Sequence, residues 1–181
     1  MNDWIQRKSP RLKGYRYDRP GYYFVTICTA LRGQDVLSTI SVKSGLCPAP
    51  PGGASGSSPT VVLTPIGQVL DKSIREISQR YAGVRVDAYC IMPDHVHMIV
   101  VIESKWENPH GTGRDRARPL QDIIGAMKSY TDRQYRLLGT PFEAKLRQTS
   151  YYDHIIRTPE DLEKTRRYIQ NNPMNWILDK E

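Results

Sequence analysis

The segment His95–Ile102 (HVHMIVVI) leaves the chain few structural options. Apart from two histidines it is wholly apolar, so in an extended conformation it carries apolar side chains on both faces. A strand of that kind needs cover on both sides and belongs inside a sheet. Met92, Pro93 and Asp94 just before it suit a tight turn, with proline preset for the second position. Val84–Ile91 reads as another strand, so the two are expected to form a hairpin.

Other elements fall on either side of this hairpin. Residues 22–29 (YYFVTICT) are aromatic and β-branched, as strands are. Residues 43–60 hold the string CPAPPGGASGSS and are expected to be a flexible insertion within a single domain spanning residues 1–181. Thr64 and Pro65 form a cap-and-proline helix start, and Ile66, Val69, Leu70, Ile74 and Ile77 recur at helical spacing, predicting a helix to about Tyr81. Pro119 opens a second helix carrying Leu120, Ile123, Ile124, Met127 and Thr131 along one side. Residues 150–156 suit a short strand. Thr158, Pro159, Glu160 and Asp161 start a last helix, expected to stop near Asn171 or Asn172 because Pro173 disfavours helical geometry in the residue before it. The order β-α-β-β-α-β-α predicts an α+β, ferredoxin-like (split βαβ) fold, an antiparallel sheet with helices on one face and a further C-terminal helix. Many functions use that fold, so the site must carry the functional reading.

Composition narrows the function classes. No apolar run is long enough to cross a membrane, and residues 1–4 lack the layout of a secretory signal. Three cysteines, Cys28, Cys47 and Cys90, show no CxxC spacing, which argues against a disulfide framework or a thiolate zinc site. A reducing cytoplasm is the expected setting. The net charge of +7 suits a polyanionic partner, although a solvated basic surface would give the same number.

Two pairs of residues suggest chemistry. His95 and His97 are two apart on a strand, so both imidazoles lie on one face and Val96 on the other. Neutral imidazoles side by side are good ligands for a divalent transition metal and serve Mg²⁺ less ideally. A bare HxH is more often a pair of hydrogen-bonded histidines, but this one begins a buried strand straight after a turn, at the rim of a sheet. Tyr168 and Asn172 are four apart on the last helix, at the border of the Leu162, Thr165 and Ile169 stripe, which places them beside the sheet. Taken singly, Tyr168 would be an ordinary half-buried aromatic.

YCIMPDHVHMIVVI, together with YYDHIIRTPEDLEKTRRYIQNNPMNW near the C-terminus, resembles the single-tyrosine transposases of the HUH nuclease superfamily. The likeness is greatest to the branch associated with repetitive extragenic palindromes in bacteria, and it spans nearly the whole chain except the Gly/Pro/Ser insertion. The resemblance implies that His95 and His97 bind a divalent ion, Mg²⁺ or Mn²⁺, and that Tyr168 is the nucleophile. Asn172 falls at the third ligand position, where relatives often carry Gln. It keeps an amide oxygen on a shorter stem.

The implied activity is metal-dependent cleavage and strand transfer on single-stranded, hairpin or palindromic DNA through a 5′-phosphotyrosine. Relatives act as dimers with the tyrosine supplied in trans, or as monomers. Backbone contacts are expected from Arg11, Lys13, Arg16 and Arg19, with Tyr15 and Tyr17 stacking on bases. Lys128, Arg166 and Arg167 are further candidates for phosphate, and His154 could assist near the site. Three competing readings are a catalytically idle DNA-binding regulator, a water-using metal phosphodiesterase and an RNA-binding module of the same fold. The last lacks the aromatic-rich central strand that such modules use.

Overall fold

The computed structural model describes residues 19–42, 59–103, 120–139, 146, 148 and 150–179. Its elements are β1 (Gly21–Cys28), β2 (Ser38–Val42), β3 (Pro59–Leu63), α1 (Pro65–Arg75), α2 (Ile77–Arg80), β4 (Val84–Ile91), β5 (His95–Ile102), α3 (Leu120–Leu137), β6 (Tyr152–Ile156) and α4 (Pro159–Leu178). Four strands form one sheet in the order β4-β5-β1-β6, every neighbouring pair antiparallel. With β5 between β1 and β4, this is the split βαβ arrangement expected from the order of elements.

The doubly apolar segment is an interior strand, as its composition requires. Val96, Met98, Val100 and Ile102 face one side, where they pack with Tyr23, Val25 and Ile27 of β1. Ile66, Leu70 and Ile74 of α1 and Leu120, Ile123, Ile124 and Met127 of α3 complete that core. On the other side Ile99 and Val101 pack with Phe24, Ile156 and Ile169 under α4. The helices therefore divide, with α1 and α3 on one face and α4 on the opposite one, across the sheet from the main core.

Three features differ from the sequence expectation. First, Pro59 and Thr60, the last two residues of the proposed insertion, begin β3, and residues 43–58 lie outside the described set. β3 pairs with β2 from Ser38↔Leu63 to Val42↔Pro59. The low-complexity segment thus joins two strands of a ribbon whose first strand has too little periodic apolar character to stand out. The ribbon is tied to the hairpin turn, because Val36 and Leu37 donate backbone N–H groups to the Pro93 carbonyl at 3.0 and 2.8 Å. At Gly67 of α1 an added Cβ would lie 1.9 Å from the Leu37 carbonyl oxygen, so this close approach admits only glycine.

Second, α1 stops at Arg75, and Ile77 continues the buried stripe from the short α2. Third, α4 does not stop before Pro173 but runs on to Leu178. A proline inside a helix removes one donor and costs roughly 3 kcal/mol. Packing offsets that cost here: Asn172 and Pro173 are buried, and the turn beyond them delivers Trp176 to the sheet.

Candidate active site

The hairpin turn fixes the start of β5. Met92 N–H donates to the His95 carbonyl at 2.8 Å, and Thr29 N–H donates to the Asp94 carbonyl at 2.8 Å. Alternation then places His95 and His97 on the α4 face, their ring centroids 4.5 Å apart, while Val96 is buried in the opposite core.

Each imidazole is held through Nδ1. His95 Nδ1 lies 2.6 Å from Asp94 Oδ1, and Asp94 Oδ2 accepts the Gly33 N–H at 2.8 Å with Arg32 Nε at 3.6 Å. Burial pushes the Asp94 carboxyl up, but the hydrogen bonds from His95 and Gly33 and the nearby charges outweigh it, so the net shift is downward and the group stays a carboxylate. His97 Nδ1 lies 2.8 Å from the Thr26 hydroxyl, and Phe24 stacks on its ring at 5.3 Å. Burial, reinforced by the neighbouring His95, holds His97 well below 6.5, so it is neutral at physiological pH with a lone pair available. Both Nδ1 atoms being engaged leaves Nε2 of each ring for a ligand.

The opposite wall is α4. Thr158 caps it, accepting the Asp161 N–H at 3.1 Å, with Pro159 in the first turn. Thr165, Tyr168, Asn172 and Trp176 follow at helical spacing and line one cleft. The Tyr168 hydroxyl lies 3.5 Å from His97 Nε2, and its ring meets His97 edge-on at 5.2 Å. Burial raises the Tyr168 phenol, opposed in part by a hydrogen bond from Asn172, so at neutral pH it carries its proton. Trp176 sits 5.9 Å from the His95 ring. The cleft has a volume of about 740 Å³ and is also lined by Phe24, Thr26, Cys28, Arg32, Tyr152, His154 and Lys164.

The His95–His97 pair and the Tyr168–Asn172 pair, far apart in sequence, are thus brought to one cleft. The other candidates are placed differently. Arg166 is engaged by Asp87, with Nε and Nη2 both at 2.8 Å from the carboxylate, and Arg167 lies 4.0 Å from Glu163. Lys128 donates to the Gln148 carbonyl at 2.8 Å. None of these three lines the cleft. Arg19 is exposed, and its carbonyl accepts from the Tyr23 hydroxyl at 2.6 Å. Arg11, Lys13, Tyr15, Arg16 and Tyr17 lie outside the described residues. His154 is on the cleft wall, 2.8 Å from Asp161.

Sequence reasoning missed Asp94 as more than a turn residue, though its adjacency to His95 was a usable signal. Thr26 and Phe24 gave none, because their place beside His97 depends on strand register. Among the described residues no three His, Cys, Asp or Glu side chains cluster as a metal site.

Comparison with known proteins bears on the family and the fold. An uncharacterized protein of Haemophilus influenzae is 26% identical over 184 residues, covering 96% of this chain and 92% of its own. A solved REP-associated tyrosine transposase bound to a REP hairpin has the same fold, with a TM-score of 0.56 and 17% identity over 91% of this chain and 74% of that one. The family model described as Transposase IS200 like matches residues 59–172, more than half of the chain. The chain therefore belongs to the IS200-like transposase family, enzymes that cleave and transfer DNA strands.

Proposed function

We propose that this protein is a divalent-metal-dependent endonuclease and strand transferase for single-stranded DNA, with Tyr168 as the nucleophile. The observation that carries this reading is the Tyr168 hydroxyl 3.5 Å from His97 Nε2, facing two imidazoles on one strand face.

The donor set fits a divalent ion. His97 is neutral, both rings are fixed through Nδ1, and the buried Asn172, whose side chain carries an amide oxygen, lines the same cleft. His95 and His97 through Nε2, with Asn172, would hold Mg²⁺ or Mn²⁺; softer metals suit imidazoles better, but oxygen ligands from phosphate would complete a mixed set. Such an ion supplies charge neutralisation and polarisation of the phosphoryl group when bound.

The chain's own groups do the rest. Tyr168 Oη attacks phosphorus and loses its proton, the P–O3′ bond breaks, and the leaving 3′ oxygen takes up a proton. The 5′ phosphate is then esterified to Tyr168. In the reverse sense the 3′-OH of a second strand attacks, the phosphotyrosine bond breaks and the phenol is restored. One ester replaces another, so no external energy source is needed. Phe24, Trp176 and the sheet shield one side of the site, while the polar side chains of the cleft admit the strand.

A hairpin or palindromic substrate is proposed by likeness to the solved transposase with its bound REP hairpin. The placement of Tyr168 beside His97 of the same chain supports a monomer with the tyrosine in cis over a homodimer that supplies it in trans. The proposed setting is bacterial DNA in the cytoplasm, and the described residues contain no helix long and apolar enough to cross a membrane.

The test is a denaturing gel of the protein with labelled single-stranded hairpin DNA and Mn²⁺ or Mg²⁺. A protein-linked band that disappears in Tyr168→Phe supports the proposal. Cleavage without a linked band would mean that water is the nucleophile, and binding without cleavage would mean an idle regulator.

A further inference from the structure

We propose that Tyr152 is a base-stacking platform, binding the nucleobase next to the phosphate that Tyr168 attacks. This rests on the function proposed above and assigns part of the cleft to substrate.

Tyr152 opens β6, the strand at the edge of the sheet. Alternation sends Ile155 into the main core and Ile156 to the α4 face, so Tyr152 and His154 face α4 with Ile156. Both line the cleft. Tyr152 is 49% exposed, whereas Tyr23 and Tyr151, with comparable rings, are buried. Of the aromatic residues lining the cleft, Tyr152 alone is exposed: Phe24 is buried under His97, and Tyr168 and Trp176 are partly covered against the two histidines. Among the described residues its side chain has no hydrogen-bond or ring partner to explain its position.

Register sets the distance. Thr26 pairs with Tyr152 on one side and with His97 on the other. Tyr152 and His97 therefore stand in line across β1, two strand spacings or about 10 Å apart along the sheet. That is the reach from a phosphate at the histidine pair to the base of an adjoining nucleotide. Lys164, one helical turn before Tyr168, lines the same cleft from α4 and suits the strand's phosphates. A single aromatic face holds any base, because every base has a π-face, so the position favours single strands without choosing a sequence.

The test uses the full chain in a Tyr168→Phe background, where binding is read without cleavage, and fluorescence anisotropy on hairpin DNA with a single-stranded flank. Tyr152→Ala is expected to weaken binding roughly five- to a hundredfold, while Tyr152→Phe and Tyr152→Trp retain it. An abasic site at one flank position should weaken the parent protein by a similar factor and have no further effect in Tyr152→Ala. Unchanged affinity in Tyr152→Ala, or an abasic penalty equal in both proteins, would overturn the proposal. If the parent binds single-stranded DNA and these arms fail, only the platform falls. If the parent binds no single-stranded DNA, the proposed function falls with it.

Discussion

His97 is held by Thr26 at Nδ1 and by Phe24 across its face, and its Nε2 faces the Tyr168 hydroxyl at 3.5 Å. Burial keeps it neutral, with a folded-state value below the unfolded 6.5. The unfolded chain therefore takes up this proton first, and the stability tied to the neutral ring is full above 6.5 and lost as pH falls through the folded-state value. Thermal melts of metal-free protein should show Tm falling as pH drops from 7 towards 5, with a shallower slope in His97→Gln. An equal slope in both would mean that His97 does not carry the effect.

Asp94 orients the other ring, and removing an outer partner of a metal-binding histidine typically costs 10- to 100-fold in affinity. Asp94→Ala should weaken Mn²⁺ binding by about that factor in calorimetry, and Asp94→Asn by less because it keeps an acceptor oxygen. Spacing alone set the facing of the histidine pair and of Tyr168, and the resemblance to single-tyrosine transposases singled them out. Arg32 and Tyr152 did not stand out, since their relation to His95 and His97 is created by the loop after β1 and by β6 pairing across β1.

The helix that carries Tyr168 is fastened to the sheet at its far side. Asp87 lies at an irregularity in β4, where the register shifts between Val86 and Ala88, and it accepts two hydrogen bonds from Arg166 and one from Arg85. The Arg166 guanidinium, outweighing burial and helped by Arg85, holds the Asp87 carboxyl below its usual range, so this tie is present at neutral pH and lost as acid protonates it. Asp87→Asn should lower Tm by a few degrees and reduce strand transfer more than DNA affinity, because it loosens the helix of the proposed nucleophile without touching the cleft. Equal losses in both measurements would argue against a positioning role.

The strands and capped helices were legible from alternation, helical spacing and Thr-Pro starts. The β2–β3 ribbon was not, since its two strands are short and separated by a Gly/Pro/Ser segment that dominates the local composition. The end of α4 was misjudged because the rule for the residue before proline is local, whereas the packing of Pro173 and Trp176 is tertiary.

The molecule as a whole is a sheet with a structural face and a chemical face. α1 and α3 close the main core on one side, and α4 forms the cleft on the other. The net charge of +7 should make single-strand affinity fall steeply between low and physiological salt, on a log–log plot whose slope counts the phosphates neutralised. A flat salt response would contradict a polyanionic partner.

The measurement closest to the chemistry is mass spectrometry of the protein after incubation with hairpin DNA and Mn²⁺. A peptide carrying a nucleotide ester at Tyr168, absent in Tyr168→Phe and in metal-free samples, is the expected result. Cleaved DNA with Tyr168 unmodified in wild-type protein, or cleavage undiminished in Tyr168→Phe, would contradict tyrosine-mediated strand transfer.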